Sequence, residues 1–168
     1  MSHISFPSDV SLLVRDARGR YQPATAEQIL AAARQVVDQK MQRGANFGSP
    51  ADVKAYLRAK LAGLDHEVFA VLFLDNRHRL IEYVEMFRGT LDGAPVHPRE
   101  VVKEALRLNA AAVIFAHPHP SGHPEPSQAD KAITLRLREA LALIEVRTLD
   151  HIVVGGNDTV SLAERGLL

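Results

Sequence analysis

Apolar positions along this chain fall into two kinds of run. "VFAVLFLD" (68–75) and "AAAVIFA" (110–116) are continuous and predict buried strands, and "LIEYVEMF" (80–87), one turn ("NRHR") after the first, predicts its partner. Elsewhere the apolar residues recur at helical spacing. Thr25 is a candidate N-cap for a helix through "AEQILAAARQVVDQKMQR" to Gly44, with Ile29, Leu30, Ala33, Val36, Val37 and Met41 on one face. Ser49-Pro50-Ala51-Asp52 puts a serine at the N-cap, a proline at N1 and an acid at N3, the start of a second helix that Gly63 should end. "PREVVKEALRLN" after His97 predicts a third helix, and Ser127 opens a fourth, "QADKAITLRLREALALI". "VRTLDHIVVGG" (146–156) reads as a strand into a glycine turn and "DTVSLAE" as a last short strand. Residues 1–24 read as an irregular lead-in, with "VSLLVRD" a strand and "ARGR" a turn. Strands interleaved with helices predict an α/β fold: a mixed β-sheet with helices packed on its faces. A soft boundary near residue 45 divides an N-terminal lead-in and helix (1–44) from the main domain (45–168).

Composition narrows the chemistry. The 168 residues fit one domain with a real core. Twenty basic and twenty acidic residues cancel, so the basic field with which nucleic-acid binding begins is missing from the average; DNA association has no support from charge. The absence of cysteine removes disulfides, thiolate zinc sites and cysteine nucleophiles together. "MSHISFPSDV" shows no signal-peptide pattern and no run approaches the ~20 apolar residues of a membrane span, so a cytoplasmic protein without membrane contact is expected. Nothing in the sequence speaks to oligomeric state.

The stretch that needs explaining is "HPHPSGHPEPSQAD" (117–130), with three histidines, four prolines and one aspartate directly behind a buried strand. Prolines this dense end regular structure, so it predicts a loop. His117 and His119 lie two apart where the strand gives out, and period-2 alternation sends both imidazoles to one side. Two such imidazoles can chelate a divalent ion, with Asp130, in the first turn of the following helix, as the natural third ligand. Three protein ligands leave a fourth position for water, the open arrangement of a catalytic zinc. Each residue also has a plain explanation: His-x-His pairs arise by chance, Asp130 at N3 of a Ser127-capped helix is ordinary capping, and Ser127 is more often only a cap.

In this order and spacing the residues resemble the JAMM metal motif of JAB/MPN domains, His-x-His-Pro, six residues, Ser-x-x-Asp. "FRGTLDGAPVHPREVVKEALRLNAAAVIFAH" and "LDHIVVG" are similar specifically to the RadC family within that superfamily, over residue 45 to the C-terminus. The helix-hairpin-helix region that RadC-like proteins often carry is not recognisable in residues 1–44. Position 118 departs from the family, which usually has Asn there; Pro118 keeps the extended backbone but removes one N–H donor. His123 also departs, as a competing ligand or, more plainly, an exposed loop residue.

The resemblance implies a three-layer JAB/MPN (cytidine-deaminase-like) fold and a zinc-dependent metalloprotease or isopeptidase, acting on a peptide or protein substrate. His117, His119 and Asp130 would be the metal ligands, and Ser127 would help hold the oxyanion of a tetrahedral intermediate. A glutamate is still required to take a proton from the metal-activated water and return it to the leaving amine. Glu67 opens the strand "VFAVLFLD", as the family's glutamate opens a strand of this type, and is the preferred candidate; Glu85 in "VEMFRGT" is the alternative. His151 is expected to be a buried, hydrogen-bonded core histidine, His97 to precede a helix without a chemical role, and Asp150 and Arg99 to be candidates for orienting other groups. The loops around 88–97 and 118–126 would shape a substrate groove. The competing reading is a non-enzymatic JAB-type binding module associated with DNA repair or mobile-element biology, against which the intact ligand set counts. Zinc nucleoside deaminases share a layered architecture but need a Pro-Cys-x-x-Cys pair, which a chain without cysteine excludes.

Overall fold

A computed structural model describes residues 12–40, 42–61, 63–64, 66–89 and 96–168. The continuous apolar runs become the middle of a five-stranded sheet. β3 (Val68–Leu74) and β5 (Ala112–Pro118) are buried at every position, as expected of strands covered on both faces. β4 (Leu80–Arg88) pairs antiparallel with β3 across the Asp75–Arg79 turn, β3 pairs antiparallel with β5, and β5 runs parallel to β6 (Arg147–Gly155). β7 (Asp158–Ser161) closes the order β4-β3-β5-β6-β7 as an antiparallel edge. The sheet is therefore mixed, and the single parallel pair, β5–β6, is the one joined by a helix, as a parallel connection requires.

Helices cover both faces. α2 (Pro50–Leu61) lays Val53, Tyr56, Leu57 and Leu61 on one face, against Leu72, Ile114, Ile152 and Val154. α3 (Pro98–Arg107) and α4 (Gln128–Ala142) cover the other, where Val101, Ala105, Leu137 and Leu141 meet Val71, Phe73, Val113 and Phe115. Period-2 alternation sorts the strand residues between the two cores, and truncating a side chain such as Leu137, fully buried, should cost about 2–5 kcal/mol. These are the three layers of a JAB/MPN-type fold.

The amino-terminal part departs from expectation in detail. "VSLLVRD" supplies a strand, β1 (Leu13–Arg15), but "YQP" forms a second, β2 (Tyr21–Pro23), paired with it in a separate two-stranded ribbon. The turn between them is an Asp16 motif: its carboxylate accepts from the backbone N–H groups of Arg18 and Arg20, a local bond invisible to apolar patterning. α1 (Ala26–Lys40) starts as expected, with Thr25 and Gln28 exchanging side chain-to-backbone bonds. It stops short of Gly44, which sits in a turn whose N–H donates to Leu80 O at the sheet edge. Its buried stripe is narrower than its apolar face: Leu30 and Val37 are half-buried while Ile29 and Val36 are exposed. The reason is that α1 packs chiefly along one helix, α2. Met41 lies outside the described residues. β5 also extends two residues beyond the apolar run, so His117 and Pro118 belong to the strand itself. None of the described helices is long and apolar enough to cross a membrane.

Candidate metal centre

The site forms where β5 leaves the sheet. Val113, Phe115 and His117 alternate onto the α3/α4 face, so His117 takes the next core-facing position after Phe115 and is 5% exposed. Its ring stacks on Phe69 of β3, with centroids 6.4 Å apart and planes 12° from parallel. After Pro118 the chain bends, and the His119 N–H donates to Val154 O at the end of β6. The proline-rich loop then turns back to Ser127, the N-cap of α4.

Asp130, in the first turn of α4, meets both imidazoles. Its Oδ1 lies 3.2 Å from His117 Nε2, its Oδ2 lies 3.5 Å from His119 Nε2, and the two Nε2 atoms are 3.0 Å apart. One ligand atom from each residue lies within 4.8 Å of the others, the one such three-residue group among the described residues. Ligands at about 2.0–2.1 Å from a tetrahedral ion stand roughly 3.3 Å from one another, so these spacings suit a small divalent cation. The second nitrogen of each ring is engaged elsewhere. His119 Nδ1 is 2.8 Å from the His123 carbonyl and His117 Nδ1 is 2.8 Å from His151 Nε2, which leaves the Nε2 atoms to face the aspartate. The donor set, two imidazoles and a carboxylate, fits a metal.

Electrostatics follow the same contacts. Burial works to raise the Asp130 carboxyl, but the neighbouring His117 and His119 rings and the bond from the Ser127 hydroxyl outweigh it and hold the group well below the ordinary carboxylate range. His119 is raised, first by its bond to Asp130, against partial burial, and then by the His123 carbonyl and the charges of Asp130 and Glu67. His151 is fully buried, and burial drives it well below the ordinary imidazole value.

Glu67 and Glu85 occupy opposite faces. Glu67 precedes β3 on the side of Phe69, and continuing the β3–β5 register would set it opposite His119. Its N-terminal position is tied down by Gly89, whose N–H donates to Glu67 O. Glu85 is exposed and accepts from the Tyr83 hydroxyl, and Tyr83 belongs to the core beneath α2, edge-on to Tyr56. The structure thus brings Glu67 towards the histidine pair and leaves Glu85 on the far side of the sheet. Ser127 caps α4: its hydroxyl donates to Asp130 Oδ2 at 2.6 Å and accepts from the Asp130 N–H, while its own N–H donates to the same carboxylate.

The remaining polar candidates divide clearly. The His123 side chain is exposed and outside the ligand group; its backbone carbonyl is what serves the site. Asp150 accepts from His151 N, Ala163 N and the Ser161 hydroxyl, bonds that tie β6 to the carboxy-terminal segment. Arg99 is an exposed partner of Glu100, and His97 is the N-cap residue of α3 without a side-chain cap bond. Most of the 88–97 loop lies outside the described residues. Two contributors were not foreseen. Thr134 sits on the buried stripe of α4 with its hydroxyl 2.5 Å from His151 Nδ1; a hydroxyl in an otherwise apolar stripe was the available signal. Gly155 lets the loop cross β6, because a Cβ there would collide with the backbone of Pro124 and His123.

Comparison with known proteins agrees with this geometry. The family model described as RadC-like JAB domain matches residues 47–167. A UPF0758 protein of Vibrio cholerae serotype O1 is 58% identical over 154 residues, covering 90% of this chain and 97% of that protein. UPF0758 proteins of Marinobacter nauticus and Cellvibrio japonicus are 57% and 61% identical over 145 and 140 residues. The chain spans 65% and 62% of those two relatives, less than two thirds of their length.

Proposed function

Since this chain belongs to the RadC family of JAB-domain proteins, we propose that it is a zinc-dependent hydrolase of peptide or isopeptide bonds, with His117, His119 and Asp130 holding the metal. The observation that carries the reading is the convergence of two imidazole Nε2 atoms and a carboxylate at the mouth of β5, beside a glutamate. Zinc, when bound, supplies Lewis acidity and a nucleophilic water near neutral pH.

The protein's own groups would do the rest. Glu67, half-buried at the start of β3, would accept the nucleophile's proton and deliver it to the departing amine, the task of a general acid–base within ~2.6–3.2 Å of the reacting water. Ser127 would donate to the oxyanion. Its single hydroxyl proton is committed to Asp130 Oδ2 in this structure, so that bond must be given up before the serine can serve the substrate. Phe69 and Phe115 wall the buried side of His117 and keep solvent from behind the ligands.

The test is metal analysis of protein purified without added zinc, followed by cleavage of a peptide library with and without chelator. About one zinc per chain, lost in His119→Ala, and chelator-sensitive cleavage are expected. A metal-replete preparation that holds no zinc would overturn the proposal. So would submicromolar, steeply salt-dependent DNA binding in the absence of any cleavage, since that requires several phosphate contacts.

A further inference from the structure

Behind His117 runs a chain of polar atoms that a hydrophobic core would not contain without a use. His151 is fully buried on β6, edge-on to Phe69 and Phe115 at 5.5 and 5.8 Å. Its Nε2 is 2.8 Å from His117 Nδ1 and its Nδ1 is 2.5 Å from Thr134 Oγ1. Thr134, 1% exposed, is also 2.5 Å from the backbone carbonyl of Asp130, four residues before it in α4. The chain therefore starts on one ligand residue and ends on another.

Proton counting gives this chain a direction. A carbonyl oxygen only accepts, so the one proton of the Thr134 hydroxyl goes to Asp130 O. The hydroxyl oxygen can then only accept from His151, which places the His151 proton on Nδ1 and leaves its Nε2 bare. A bare Nε2 must accept from His117, so the His117 proton sits on Nδ1. The Nε2 of His117, the atom facing Asp130 and His119, is left with its lone pair. Reversing the chain would put a proton on that Nε2, aimed at Asp130 Oδ1 3.2 Å away, and leave the Asp130 backbone carbonyl facing a hydroxyl with no proton to offer.

We infer that Thr134 and His151 are positioning residues that fix the tautomer and ring orientation of His117, so that its Nε2 is available to a metal before any metal arrives. This rests on the metal-binding reading above. It extends that reading from three ligands to the helix and strand behind them, and it couples α4 to β6 through the site.

Thr134→Val removes the acceptor for His151 Nδ1–H at nearly constant volume. A buried N–H without an acceptor is worse tolerated than a bare ring nitrogen, so the chain should invert and the His117 proton should move to Nε2. His151→Phe removes the acceptor for His117 altogether. Both variants should bind zinc ~10–100-fold more weakly in competition with a chromogenic chelator. Thr134→Ser and His151→Gln, which keep an acceptor in place, should restore affinity close to wild type. Histidine ¹⁵N spectra of the metal-free protein should show Nδ1 of His117 protonated in wild type and the proton shifted to Nε2 in Thr134→Val, a change that simple loss of packing would not produce.

Thr134→Val binding zinc as tightly as wild type, or a wild-type His117 protonated at Nε2, would overturn the inference. If His151→Phe does not fold, Thr134→Val decides alone. If wild type binds no zinc, the hydrolase proposal fails while the nitrogen spectra still decide the tautomer.

Discussion

Two helices of this protein begin with nearly the same four residues. α2 opens with Ser49-Pro50-Ala51-Asp52 and α4 with Ser127-Gln128-Ala129-Asp130. At both, the serine hydroxyl accepts from the aspartate N–H and donates to the aspartate carboxylate. They differ in what stands opposite. Ser49 and Pro50 share a cleft with Leu74 and His78, at the end of the sheet away from His119, whereas Asp130 faces two imidazoles. A capping motif is therefore a local device that either end of the sheet can use. It acquires chemistry only where a strand delivers partners to it.

The strongest way to break that comparison is to neutralise both acids. Asp130→Asn should abolish zinc binding at micromolar metal, since it removes the sole anionic ligand of the set, while Asp52→Asn should leave zinc content unchanged; metal analysis after gel filtration reads both. Equal zinc loss in the two variants would mean that Asp130 acts through helix stability and not as a ligand.

The next pair separates the faces of the sheet. Glu67→Gln should retain zinc and fold but lower turnover ~10²-fold or more, the scale of a lost general acid–base, and Glu85→Gln should change turnover little. The opposite ranking, measured on any substrate the library yields, would place the base on the α2 side and contradict the arrangement proposed here.

Gly155→Ala should come third. The added Cβ would meet the backbone of His123 and Pro124, displacing the carbonyl that holds His119 Nδ1. Zinc affinity should fall ~10-fold or more, the scale of a lost outer partner of a metal-binding histidine, with unchanged secondary structure by circular dichroism.

The smallest effects concern the caps. Ser49→Ala and Ser127→Ala should each cost ~1 kcal/mol in denaturant unfolding of the metal-free protein. Only Ser127→Ala should also slow cleavage. If it does not, Ser127 is a cap and nothing more.

The sequence made the layered fold, the sheet's central strands and both caps legible, because each rests on local signals: apolar period, N-cap chemistry and proline placement. The grouping of the three candidate ligands was legible for a different reason. His117, His119 and Asp130 sit within fourteen residues, so a strand end, a loop and a helix start are enough to bring them together. Thr134, His151 and Gly155 were not legible as parts of the site. Their roles depend on how α4 and β6 pack beside β5, and no local spacing reports that. How much of the α1 face is buried was not legible either, since the width of an apolar face does not say how much of it a neighbour will cover.

The connection from β5 through α4 to β6 carries a consequence for how the protein is assembled. His119 and Asp130 are 11 positions apart, and His151 belongs to the same β–α–β unit, whereas Glu67 is 52 positions before His119. Chain-closure entropy makes the contact between Glu67 and His119 about 1.4 kcal/mol more costly to form than that between His119 and Asp130. The three residues proposed to hold the ion thus lie in one contiguous stretch of chain, whereas Glu67 is brought to them by the long-range antiparallel pairing of β3 with β5.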